Sequence, residues 1–322
     1  MKPISPTGWK GDAGMNPAYS VILFTTASGA GYGLLALLGL VGVNHGQASS
    51  VAFGVTSMLL ALALITVGLL SSTFHLGHPE RAWRALSQWR SSWLSREGVA
   101  AIVAYPVALA FGLVWSGLIE KPEWITPLGL ACVVMSFITV LCTGKIYASL
   151  KTIPQWHNGL TVPVYLLFGL ATGSVVLMAV ATIFGRFQGF QVIFTIVALI
   201  IVGVLKSLYW RSIDNAIPRF TMGDATGLKG DVRQWEVPHT NVNFIQKEMG
   251  YVVARKHAEK LRNMVMIALA IAVIISLLAW AVTPWLSFIA AAAALFAAAV
   301  ERWLFFAEAT HVVNLYYGLD KA

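Results

Sequence analysis

Apolar residues in this sequence fall in long unbroken runs rather than in alternation or in a 3.6-residue stripe. Eight runs stand out, near 18–43, 51–73, 98–119, 126–148, 160–184, 190–210, 263–283 and 285–307. Each is close to the ~20 residues needed to cross the hydrocarbon core of a bilayer as a helix. Thr283 and Pro284 alone separate the last two, which predicts a tight turn. No short strands of alternating polarity occur, so the barrel solution is excluded. Only helices then satisfy the backbone in lipid. The pattern predicts an all-α integral membrane protein, a bundle of eight transmembrane helices forming one polytopic domain over 1–322. Residues 1–17 form a polar tail, and the first apolar run is too long for a signal peptide, so it reads as a retained span. The 211–262 segment is a long polar loop with a helix expected around 243–262, suited to docking a partner.

Composition agrees. Hydrophobic residues make up 57% of the 322, and charged ones only 11%, against about 25% in soluble domains. A cytosolic enzyme, a disordered protein and a disulfide scaffold are excluded. With two cysteines, Cys132 and Cys142, in one apolar run, the protein cannot ligate an iron–sulfur cluster by itself. They read as small buried hydrophobes.

The net charge of +8 has an address. An even number of spans puts both termini on one side, and the loops and tails of that side carry 19 of the 22 Lys and Arg; the opposite loops carry only Lys121 and Arg186. The positive-inside rule makes the basic side cytoplasmic. The excess is thus a topology signal and a docking face for partner and lipid, not a nucleic-acid surface.

Ionisable groups in or beside a span are the chemical candidates, since charge there is costly. One group is His75, His78, Glu80, Arg81 and Arg84 after the second span, with Glu97 opening the third. A histidine and an acid at one depth can hydrogen-bond a quinone carbonyl and move its proton. Equally, Glu97 reads as a first-turn acid on the helix dipole behind a Ser95 cap, and His75 as an interfacial residue bonded to backbone. Arg81 and Arg84 suit a quinone head group, a lipid phosphate or a partner carboxylate. In a second group, Glu301, Arg302, Glu308 and His311, the two acids are seven apart and share a helix face, with His311 near it; the group suits either a proton relay or an interfacial helix end, and Glu308 and His311 are expected at the water. Lys145 reads as a snorkelling helix-end residue. Tyr105 and Lys206 are weaker candidates. Pro106 predicts a kink. A bis-histidine b-haem is disfavoured, because no histidine lies deep in a span.

The runs His75-Leu76-Gly77-x-Pro79-x-Arg81-Ala82, Ser92-Trp93-Leu94-Ser95-Arg96-Glu97 and Arg302-Trp303-Leu304-Phe305-Phe306-Ala307-Glu308 resemble the membrane anchor subunits of dimethyl sulfoxide reductase-type complexes, along essentially the whole length. The resemblance implies docking of a four-cluster [4Fe–4S] subunit that serves a molybdopterin catalytic subunit. It implies exchange of two electrons and two protons with ubiquinone or menaquinone, usually without haem. It also implies a quinone site at His75 and Glu97, to which Arg81, Tyr105, Lys145 and Glu301 are added as binding candidates from the residues themselves. The basic docking side and the stretch Met15 to Gly33 are similar to the anchors of cytoplasmic sulfite-oxidising complexes in the bacterial inner membrane. Quinol-oxidising sulfoxide or polysulfide reductases, a secondary transporter and a passive tether are the alternatives.

Overall fold

A computed structural model describes residues 19–73, 78–216, 220–233, 235 and 257–317. Eight helices in it are long and apolar enough to cross a membrane. They are α1 (Tyr19–His45), α2 (Val51–Ser71), α3 (Trp93–Trp115), α4 (Ile125–Ala148), α5 (Thr161–Ile183), α6 (Gly189–Asp214), α7 (Ala258–Ala281) and α8 (Ser287–Ala307). No strand occurs among the described residues. The N-tail and the 243–256 part of the expected loop helix lie outside them.

The order alternates up and down, so the helices have two common ends. The charged end gathers the start of α3, α5 and α7 and the close of α2, α4, α6 and α8. A 3-10 segment, Pro79–Gln88, lies there across α3. Ser95 Oγ donates to the Ala85 carbonyl and pins this segment down. Leu86 fills the place a side group at Gly98 would need.

The spans predicted from the apolar runs hold, with one shift that matters. α3 starts at Trp93, behind an N-cap in which Ser92 Oγ accepts from the Ser95 amide. Glu97 therefore sits in the second turn and is not a first-turn acid. Its sequence position beyond Ser95 looked like the helix start because the amphipathic WLSRE run dilutes the local hydropathy.

α1 runs through the middle of the bundle, enclosed by α2, α4 and α5. Small residues let the backbones touch, as membrane helices require when no water drives them together. A Cβ added to Gly33 would overlap the Gly169 carbonyl oxygen, and one on Gly173 would overlap the Leu34 amide. Hydroxyls inside the bundle turn back to their own helices: Thr25 to Val21, Ser28 to Phe24, Thr172 to Phe168, Ser276 to Ala272. That habit satisfies them without water.

Gly33→Leu should separate α1 from α5 and cost at least the ~1–3 kcal/mol typical of overpacking, read as a lower unfolding temperature in detergent. Gly159→Ala, at a site with nothing within 4 Å of the added carbon, should leave it unchanged.

Candidate functional site

Glu97 is 4% exposed. Its Oε1 accepts a hydrogen bond from Thr143 Oγ1 on α4, and Thr143 also donates to the Thr139 carbonyl. Helix α3 faces the bundle here with Ser95, Glu97, Ala100, Ala101 and Ala104, and faces outward with Leu94, Val99, Ile102 and Val103. The carboxyl is thus on the protein-facing stripe. Tyr32, on α1, lies within its electrostatic reach.

Beyond α5 is a second buried set. Lys206 on α6 and Glu301 on α8 are 0% exposed, and Arg302 is 3% exposed. Lys206 Nζ lies 2.5 Å from Glu301 Oε1. The Arg302 guanidinium pairs with the other oxygen, Oε2. Glu301 is six residues from the end of α8, so the cluster lies ~9 Å inside that end, at about 1.5 Å per residue. Aromatic faces surround the two cations: Lys206 Nζ is 3.9 Å from the Tyr209 ring, and the Arg302 guanidinium 3.8 Å from the Tyr165 ring. Cation–π contact partly replaces the lost hydration. Trp156 Nε1 donates to the Phe305 carbonyl and Tyr209 to the Gln155 carbonyl, which fix the box.

Just past the close of α8 a separate set reaches the surface. Arg262 on α7 donates to Glu308 at 2.8 Å and to Asp214 at 2.6 and 3.0 Å. Side-chain exposure rises from 9% at Glu308 through 21% at Arg262 to 53% at Asp214. Glu308 stands just past α8, and burial pushes its carboxyl above the ordinary value, against the pull of Arg262. Burial likewise lowers His311. Neither is free in water as expected: both are partly buried.

A small cavity of ≈ 20 Å³ lies between α1, α4, α5 and α8, with Thr143 and Arg302 in its wall together with Thr25, Thr26, Tyr165 and Thr172. A larger one, ≈ 470 Å³, opens at the opposite end between α1, α5 and α6, beside Leu37, Asn44, His45, Phe190, Gln191 and Thr195. It is in the size range of ligand pockets but touches none of the residues singled out from sequence.

The sequence candidates therefore do not form one pocket. Glu97 and Glu301 are both buried, in separate clusters. Arg81 is exposed in the 3-10 segment, 3.7 Å from Glu80. Lys145 is exposed at the close of α4, 6.0 Å from the Trp93 ring. Tyr105 shares its hydroxyl with Thr66 Oγ1 at 2.7 Å and ties α3 to α2. His75 lies outside the described residues. The correction concerns Lys206: its sequence context, a lone lysine within a span, left it a weak candidate, and it is one of the two cations paired with the buried Glu301 carboxylate. The two cysteines are free and buried, as expected.

Removing the shared counter-ion should hurt more than removing one of its partners. Glu301→Gln leaves two buried cations facing each other and should cost about 3–5 kcal/mol. Lys206→Met leaves the Glu301–Arg302 pair intact and should cost less; thermal unfolding of the two variants in detergent gives the comparison. For Glu308 the sign follows from its raised pKa. Above the ordinary value of 4.5 the folded state holds the proton more tightly than the unfolded state, so this site's contribution to stability falls as pH rises. Glu308→Gln should therefore show a shallower loss of unfolding temperature than the parent as pH rises from 4.5.

Comparison with known proteins places this architecture. The sequence profile of the DMSO reductase anchor subunit (DmsC) family matches residues 12–319. The sulfite dehydrogenase C subunit of Allochromatium vinosum is 32% identical over 94% of this sequence and 99% of its own length. The YnfH chain of an Escherichia coli anaerobic dimethyl sulfoxide reductase is 30% identical over 39% of this sequence and 44% of its own. The C chain of the Haemophilus influenzae anaerobic dimethyl sulfoxide reductase is 26% identical over 44% of this sequence and 50% of its own. With eight membrane-crossing helices and a family match along nearly its whole length, this protein belongs to the DMSO reductase anchor subunit family, the membrane anchors of oxidoreductase complexes.

Proposed function

We propose that this protein holds a molybdopterin oxidoreductase at the cytoplasmic face of the bacterial inner membrane and exchanges electrons between a four-cluster [4Fe–4S] partner subunit and membrane quinone. The substrate is ubiquinone or menaquinone. Two electrons from the partner and two protons turn each quinone into quinol. The observation that carries this reading is Glu97: a carboxyl buried on the protein-facing stripe of α3, held by Thr143 close to the charged end of the bundle. A buried acid with one hydroxyl partner is suited to giving up and regaining a proton. His75 is assigned with it to the quinone, on the resemblance of the run around it. Arg81 and Lys145, exposed at the same end, suit the docking face of the partner or a lipid head group. The charge asymmetry of the loops supports the cytoplasmic side.

Electron flow from sulfite to quinone is the favoured direction. The support is the Allochromatium relative named for sulfite dehydrogenase, which aligns from end to end, whereas the dimethyl sulfoxide reductase relatives align over less than half of this sequence. A quinol-oxidising anchor is the second reading.

Glu97→Gln keeps the size and the hydrogen bond from Thr143 and removes the proton. In the complex purified with its partners, it should lower sulfite-dependent quinone reduction by about 10²-fold or more, the range set by loss of a positioned acid–base group. Normal turnover with all subunits present in equal amounts would sink the assignment.

A further inference from the structure

Helices α1 and α6 both pack on α5, and at the end opposite Glu97 they part to leave the ≈ 470 Å³ cavity between them. Ser174 and Leu177 of α5 form its floor. Leu37, Leu40 and Val41 line one flank, and Phe190, Phe194 and Thr195 the other. Leu40, Phe190 and Phe194 are also exposed on the outer surface of their spans. One side of the cavity therefore opens toward lipid rather than toward water.

Its polar groups stand at two levels. Asn44 and His45, at the close of α1, are exposed at the mouth. Deeper in are Gln191 and Thr195, four residues apart and so on one face of α6. The side-chain oxygen of Gln191 accepts from the Gln188 amide at 3.2 Å, which leaves its NH2 as a donor. Thr195 is six residues into α6, ~9 Å at about 1.5 Å per residue. It is 0% exposed, and its Oγ1 has no hydrogen-bond partner in the protein. Thr25, Ser28, Thr172 and Ser276 turn their hydroxyls back to their own helices; Thr195 does not. A buried hydroxyl left so is costly, and an acceptor oxygen held in the cavity removes that cost. Among the described residues no Asp, Glu, Lys or Arg lines the cavity. A charged head group would lie there unpaired, where charge is expensive.

We propose that this cavity binds a long-chain amphiphile of the membrane whose head group carries no net charge and whose carbonyl oxygens accept hydrogen bonds from Thr195 Oγ1 and the Gln191 amide. Residues at this spacing have Cβ atoms about 5–6 Å apart, so both donors reach the oxygens of one head group. The hydrocarbon body lies against the leucines and phenylalanines, as in other ligand pockets with few placed polar groups. The chain leaves past Leu40 and Phe194 into the bilayer. A prenylated quinone and the acyl ester of a zwitterionic phospholipid share this chemistry. The site is separate from Glu97, and the inference does not rest on the quinone reading.

The test titrates the full-length protein in detergent with two radiolabelled probes, a short-tailed ubiquinone and phosphatidylethanolamine. Under the proposal one molecule of at least one probe binds per protein in a manner lost in Leu40→Trp, whose indole fills the mouth from an exposed position. Thr195→Val keeps the side-chain volume, removes the hydroxyl and weakens that binding about 5-fold, the range of one net hydrogen bond. Glu97→Gln, at the other end, keeps the parent affinity for this site. Which probe binds names the source of the ligand. Binding of neither probe, or parent affinity in either Leu40→Trp or Thr195→Val, would overturn the proposal. So would tighter binding of phosphatidylglycerol, whose head group is anionic, than of both probes. If Leu40→Trp does not fold, Thr195→Val decides alone. Survival of quinone turnover in Glu97→Gln would sink the quinone reading and leave this site untouched.

Discussion

A carboxylate held between two cations, out of reach of lipid and of bulk water, is the interaction around which the charged half of this bundle is arranged. Glu301 can be ionised at 0% exposure because Lys206 and Arg302 take one oxygen each. The cations in turn need faces to lie against, and Tyr209 and Tyr165 provide them. The Tyr209 hydroxyl donates in turn to the Gln155 carbonyl, and Trp156 beside it donates to the Phe305 carbonyl on α8. Each polar group thus fixes the next because there is no water to substitute for it.

The glycine seam between α1 and α5 serves the same end by another route. Only where backbones touch can α1 pass through the centre without leaving a void or a lipid-filled crevice. With α1 in place, α4 and α5 bring Thr143 and Tyr165 to one water-sized space, and two clusters that belong to different helix pairs become neighbours.

Much was legible in the sequence. The number, order and approximate limits of the spans follow from runs of apolar residues, because crossing a bilayer is a requirement on each segment by itself. Charge asymmetry predicted a sidedness for the same local reason. Burial of Glu97 was suggested by its neighbours but not decided: the first-turn alternative fell only when the Ser92 cap showed where α3 begins. Glu308 and His311 were misjudged because a sequence shows distance along the helix and not what packs over its end.

Lys206 marks the limit most clearly. By itself it was a single base in an apolar run, and hydropathy has no means of distinguishing a stray charge from a paired one. Its partner, Glu301, is on α8, two spans further along by way of a long loop, and their distance of 2.5 Å is a property of packing alone. The sequence by itself determined that this protein crosses the membrane eight times and that its ionisable residues gather toward one end, since length and apolarity are local. Which of those residues meet was decided only by the tertiary structure, because in a medium that offers no hydrogen bonds a polar group's fate depends on the helix that happens to face it.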